Sequence, residues 1–169
     1  FGNWIKKKII VEQNPFKYVI INNFFNEKVY QKIKNCYPIK PTDEFYKYFN
    51  PLEVKYLFDK IDLLEEPLKN VFKQLKDSKF IELLSSLFNI PDLESDPTLH
   101  GAGLHLHPKY GRLNMHLDYE KHPKLQNKQR RLNIIIYIND KWEKQWNGAT
   151  ELWDNEMKQC VTKCYPEKN

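Results

Sequence analysis

Apolar positions along the chain change their period near Thr98. Before that point the spacing is mainly helical; after it, every second position is apolar. Asn26-Glu27 opens the first helical segment, with Val29, Ile33 and Tyr37 in step, Asn26 as N-cap, and Pro38 and Pro41 closing it. From Val54 to Ser78, Leu64, Leu68, Val71, Phe72 and Leu75 fall on one side. Pro67 fits only a helix start or a kink, so two helices are expected to meet there. Lys79 to Phe88 predicts a further apolar helix, followed by a turn-rich loop over 89–97.

Beyond Thr98 the pattern predicts strands at 99–107, 112–119, 131–139, 148–153 and 159–165, with a turn at 108–111 and a polar loop at 120–129. Near the start, Ile9-Ile-Val11 reads as an edge strand and Phe16 to Ile21 as a strand. Phe45, Tyr46, Tyr48 and Phe49 give 42–51 an aromatic character that suits a loop packed on the core, or else a lid over a cleft. Helices first and strands afterwards predict an α+β fold, with helices on one face of an antiparallel sheet system.

A chain of 169 residues, 41% hydrophobic and 14% aromatic, supports one domain with a real core and excludes a disordered segment. The net charge is +5, carried by lysines dispersed along the chain; the arginines are Arg112, Arg130 and Arg131. Only Lys121 to Arg131 concentrates basic residues, so nucleic acid is not the expected partner. Three cysteines, Cys36, Cys160 and Cys164, show no framework spacing and suggest reduced thiols in a cytoplasmic setting. No apolar run approaches the roughly 18 residues a membrane span needs, so no membrane partner is expected.

The chemistry centres on His116-Leu117-Asp118. On an extended strand, side chains two apart share a face, so an imidazole and a carboxylate would converge. With open positions, that donor set favours non-haem Fe(II) and calls for a second His. A structural zinc is disfavoured, because such sites are closed and rich in Cys. His105 and His107 share a strand face without a carboxylate, His100 lies nearby, and His122 reads as a solvated loop residue. On the strand over 131–139, Leu132, Ile134, Ile136 and Ile138 form one face; Arg131, Asn133, Ile135, Tyr137 and Asn139 form the other, which reads as solvated.

In sequence order, His116-Leu-Asp118, then Arg130-Arg-Leu-Asn-Ile-Ile-Ile-Tyr-Ile-Asn139, Trp142, and Trp146-Asn-Gly-Ala-Thr-Glu-Leu-Trp-Asp154 resemble the Fe(II)/2-oxoglutarate-dependent dioxygenases, in particular the prolyl-4-hydroxylase-like branch. The resemblance runs from about Phe16 to the chain end and is strongest from Leu104 to Tyr165. It implies a single dioxygenase domain over 1–169: a double-stranded β-helix (a cupin-like jelly roll) over 98–169, supported by a mainly helical 1–97. It implies that His116 and Asp118 are metal ligands and catalytic. Tyr137 would bond the far carboxylate of 2-oxoglutarate, with Asn133 and Ile135 lining that pocket and Arg130 near the substrate entrance. The implied cofactors are Fe(2+) and 2-oxoglutarate, with ascorbate as an accessory reductant. O2 would be consumed, succinate and CO2 released, and a C–H bond hydroxylated.

The family's distal His and basic residue lie on strands beyond Cys160 to Tyr165. No His follows His122 and no Arg follows Arg131, so the expectation is a fragment lacking its C-terminal strands, binding iron weakly on its own. The expected substrate is a peptidyl residue, proline first. The alternatives are a free amino acid or other small metabolite, then a nucleic-acid base, and, outside enzymes, a non-catalytic jelly-roll module binding a partner through Phe45 to Phe49.

Overall fold

The computed structural model describes residues 2–168. Its contacts divide the chain into two units, one within 1–37, 65–95 and 136–169, the other within 38–64 and 96–135.

The first unit holds the helices. Helix α1 (Glu27–Cys36) starts where the sequence predicts, with the Asn26 side chain accepting from the Val29 amide. Helix α2 (Glu66–Leu75) carries Pro67 in its first turn, where a missing N–H costs nothing. Helix α3 (Ser78–Phe88) is capped by Asp77 and ends on Asn89 in the left-handed region. The apolar faces of these helices bury Tyr30, Ile33, Leu68, Phe80 and Phe88 together with Trp4, Phe24 and Phe25. Phe24 is the hub: Trp4 stacks on it at 5.2 Å, and Phe25 and Phe80 meet it edge-on at 5.0 and 6.3 Å. The Trp4 indole N–H donates to the Phe24 carbonyl at 2.8 Å, so the buried ring leaves no orphan donor. This unit also contains the antiparallel pair β5 (Thr150–Trp153) and β6 (Cys160–Cys164), both at their expected places.

The second unit is built on an antiparallel sheet: β1 (Tyr46–Phe49), β2 (Glu53–Phe58), β3 (Leu104–Leu106) and β4 (Arg112–Leu113). β1 lies along one edge of β2, and β3 and β4 follow one another along the other. Its core is Phe45, Leu57, Phe58, Leu64 and Leu104. Gly103 allows the close approach, since a Cβ there would stand 2.3 Å from the Phe58 carbonyl oxygen.

Four expectations change. The aromatic stretch at 42–51 is neither a packed loop nor a lid; its residues 46–49 form a hairpin strand, with Phe45 buried and Tyr46 and Phe49 exposed. Helical periodicity from Val54 fails because Asn50 turns the chain, its side chain accepting from the Leu52 and Glu53 amides, and sends 53–58 back as β2. The turn at 108–111 does not reverse the chain. Leu106 pairs with Tyr56 and Arg112 with Val54, so 107–111 bulges out of one interrupted strand. Finally, residues 16–21, 116–119 and 131–139 are not ladder strands among the described residues, apart from a single bridge between Glu12 and Tyr18. The mixed helical and antiparallel architecture agrees with the predicted α+β class.

Candidate metal centre

The ladder that positions the centre ends just before it. Leu113 pairs with Glu53, and the Asn114 amide donates to the Leu52 carbonyl at 2.9 Å. The Arg112 guanidinium ties the same corner through the Asn50 and Pro51 carbonyls, both at 3.3 Å. The chain then leaves the sheet, and His116 and Asp118 stand outside any strand at the surface.

The two side chains converge without the ladder, while Leu117 between them is exposed. His116 Nε2 lies 3.6 Å from Asp118 Oδ1. His116 Nδ1 donates to the Asn114 carbonyl at 2.7 Å, which fixes the tautomer and leaves the Nε2 lone pair open. Two donors on one ion with bonds of about 2.1 Å stand about 3 Å apart when they meet at right angles. The pair therefore fits two arms of a metal site. Among the described residues, no group of three or more His, Cys, Asp or Glu side chains is placed to hold an ion.

Asp118 has two further neighbours. Arg130 approaches its Oδ2 at 3.5 Å, and the Asn133 amide group donates to the same oxygen, also at 3.5 Å. Ile135 is 55% exposed, as is the flanking Ile134 at 41%, so burial does not separate the two faces expected for 131–139. Tyr137 belongs to the other unit, where its hydroxyl is hydrogen-bonded with Thr150 Oγ1. Burial raises its pKa above the ordinary phenol value. Its hydroxyl is thus held, in contrast to the solvated reading of that face.

His122 departs furthest from its expectation. Its side chain is 7% exposed. Nε2 donates to Asp96 Oδ2 at 3.0 Å, while the Lys124 and Leu125 amides donate to Nδ1 at 3.1 and 3.0 Å. Asp96 also accepts from the Thr98 amide and hydroxyl and from the His100 amide. Burial works against its charge, but these hydrogen bonds outweigh it and hold the carboxyl far below the usual range. Asp96 lies in a segment that reads simply as a turn-rich loop, and Asp96-Pro97-Thr98 carries an Asx-turn signal that could have marked it. His105 lies on β3 and His107 just past its end; burial, with the charge of Lys55 second, lowers both pKa values.

No described helix is long and apolar enough to cross a membrane. No curated protein and no solved structure matches the chain. Residues 102–169, which include His116, Asp118, Arg130, Asn133, Ile135 and Tyr137, match the family model of the 2OG-Fe(II) oxygenase superfamily, and this match supports a dioxygenase that uses Fe(2+), 2-oxoglutarate and O2.

Proposed function

We propose that the protein is an Fe(II)- and 2-oxoglutarate-dependent hydroxylase in which His116 and Asp118 hold the metal. The observation that carries this reading is the convergence of the two side chains at 3.6 Å inside the segment that matches the oxygenase model. Fe(2+) with 2-oxoglutarate would supply the oxidising chemistry. The chain's own share is binding and orientation. Asn114 holds the imidazole through Nδ1 so that Nε2 faces the ion. Asp118 supplies charge through Oδ1. The resemblance assigns Tyr137, whose hydroxyl is hydrogen-bonded with Thr150, to the far carboxylate of 2-oxoglutarate, and Asn133 and Ile135 to the lining of that pocket. We place 1–169 within a single dioxygenase domain of double-stranded β-helix type.

The substrate proposed is a peptidyl residue, proline first, ahead of a free amino acid or other small metabolite. This choice rests on the resemblance to the prolyl-4-hydroxylase-like branch, and a shared fold does not by itself fix a substrate. A second reading is a non-catalytic module that binds a partner through the stretch Phe45 to Phe49, of which Tyr46 and Phe49 are exposed.

The deciding experiment is anaerobic loading with Fe(II), followed by O2 and 2-oxoglutarate with peptide and metabolite panels. Succinate formation that needs Fe(II) and is lost in His116→Ala supports the enzyme. No iron-dependent turnover and no metal-dependent thermal shift would leave the binding module.

A further inference from the structure

The loop at 120–130 is closed much more tightly than a polar connection requires. The Arg130 amide donates to the Glu120 carbonyl at 2.8 Å, and the His122 amide to the Lys128 carbonyl at 2.8 Å. A bridge between Lys121 and Gln129 lies between these bonds. This ladder returns Arg130 to the side of Asp118-Tyr119. There the guanidinium lies over the Tyr119 ring, 4.8 Å from its centroid, with one NH2 3.5 Å from Asp118 Oδ2.

Tyr119 is itself held. Its hydroxyl donates to the His100 carbonyl at 3.2 Å, and its ring meets His100 and His122 at 5.6 and 6.2 Å. His100 and His122 both bond Asp96. A connected set thus runs from a hydrogen-bonded anchor, Asp96 with His122, through a phenol ring and a guanidinium, to one oxygen of the surface carboxylate.

We propose that Arg130 is a positioning residue for Asp118: its cation pairs with Oδ2, the oxygen to which the Asn133 amide group also donates, so that Oδ1 is the oxygen presented beside His116 Nε2, and Tyr119 is the platform that holds the guanidinium there. This goes beyond the substrate-entrance role that the resemblance implies for Arg130, and it rests on reading His116 and Asp118 as metal ligands. Planarity is what the arrangement uses. A guanidinium can lie flat on a ring while its edge donates to a carboxylate; an ammonium keeps the charge but loses that fixed fork. The cation also opposes the ion's charge, yet at this exposed position the repulsion is weakened by water, and orientation dominates.

The test is anaerobic titration of the purified chain with Co(II), read by its d–d absorption, which reports coordination without turnover. Wild type is expected to bind, and Arg130→Met to bind roughly tenfold more weakly, at the low end for partners that orient a ligand. Its band should also change in shape as Oδ2, no longer paired with the cation, competes for the metal. Arg130→Lys should lie between the two, and it carries the test if the Met variant does not fold. Tyr119→Leu should follow Arg130→Met, while Tyr119→Phe, which keeps the ring, should stay near wild type. Wild-type affinity and spectrum in Arg130→Met would overturn the proposal, as would a raised KM for 2-oxoglutarate turnover with Co(II) binding unchanged. Failure of wild type to bind Co(II) would instead overturn the ligand assignment, and the positioning role with it.

Discussion

Tyr30 and His116 mark the two extremes of how this chain holds a side chain. Tyr30, in the helical unit, is fully buried and donates its hydroxyl to the Asn139 carbonyl at 2.8 Å. His116, in the sheet unit, is 49% exposed and is oriented by one backbone carbonyl. The helical unit fixes its geometry through ring packing around Phe24; the 96–130 segment fixes its geometry through hydrogen bonds to Asp96 and His122. Burial stabilises and hydrogen bonds orient, so substitutions in the two regions should separate stability from metal binding.

The largest effect is expected from Phe25→Ala, which removes a ring that is 2% exposed. A loss of about 3–5 kcal/mol in urea unfolding is expected. A loss below about 1 kcal/mol would show that the aromatic cluster does not carry this unit.

Asp96→Ala comes next. It strips acceptors from the Thr98 amide and hydroxyl, the His100 amide and the His122 ring. About 2–3 kcal/mol is expected, since each unpaired donor retains access to some water. The depressed carboxyl also sets a pH dependence. Its contribution is complete above the unfolded value of about 3.9 and is lost as pH falls through the lower folded value. Asp96→Asn should therefore flatten the acid limb of a stability profile below about pH 4.

A smaller, distinct slope belongs to His105. Burial lowers its folded pKa, so the unfolded chain takes up protons first and stability falls as pH drops below about 6.5. His105→Asn should reduce the slope there and leave the region below pH 4 unaffected.

The smallest stability effect is expected at the metal pair. His116→Ala should change unfolding by no more than about 0.5 kcal/mol, as for other surface positions. It should nevertheless abolish Fe(II) uptake measured anaerobically. A large stability loss in that variant would mean that His116 holds the fold together, and the contrast between the two regions would fail.

How far the sequence could be read follows from what each signal contains. Caps and periodicity are local, so α1 lies where Asn26 places it, α2 begins with Pro67 in its first turn, and α3 covers the apolar run from Lys79 to Phe88. The β5–β6 pair is separated only by a short turn, and it too is legible. A two-residue period states which side faces inward but not which strand lies alongside; 131–139 shows the period and joins no ladder among the described residues. The β1–β2 hairpin was obscured because Val54, Leu57 and Phe58 also fit a helical stripe, and the Asn50-Pro51 turn was the stronger clue. At the candidate site, the approach of His116 to Asp118 was legible because it spans three residues. The burial of His122 was not, because its partner Asp96 is distant in sequence and lies in a segment that reads as a plain loop.

The closed ladder at 120–130 makes loop length a determinant of chemistry. Adding or deleting one residue between Lys121 and Gln129 would turn the following side chain to the opposite side of the backbone. Homologues that differ in this span would then keep the same imidazole and acid while losing the cation beside them, so indels here, more than substitutions, would mark where related chains diverge in metal handling.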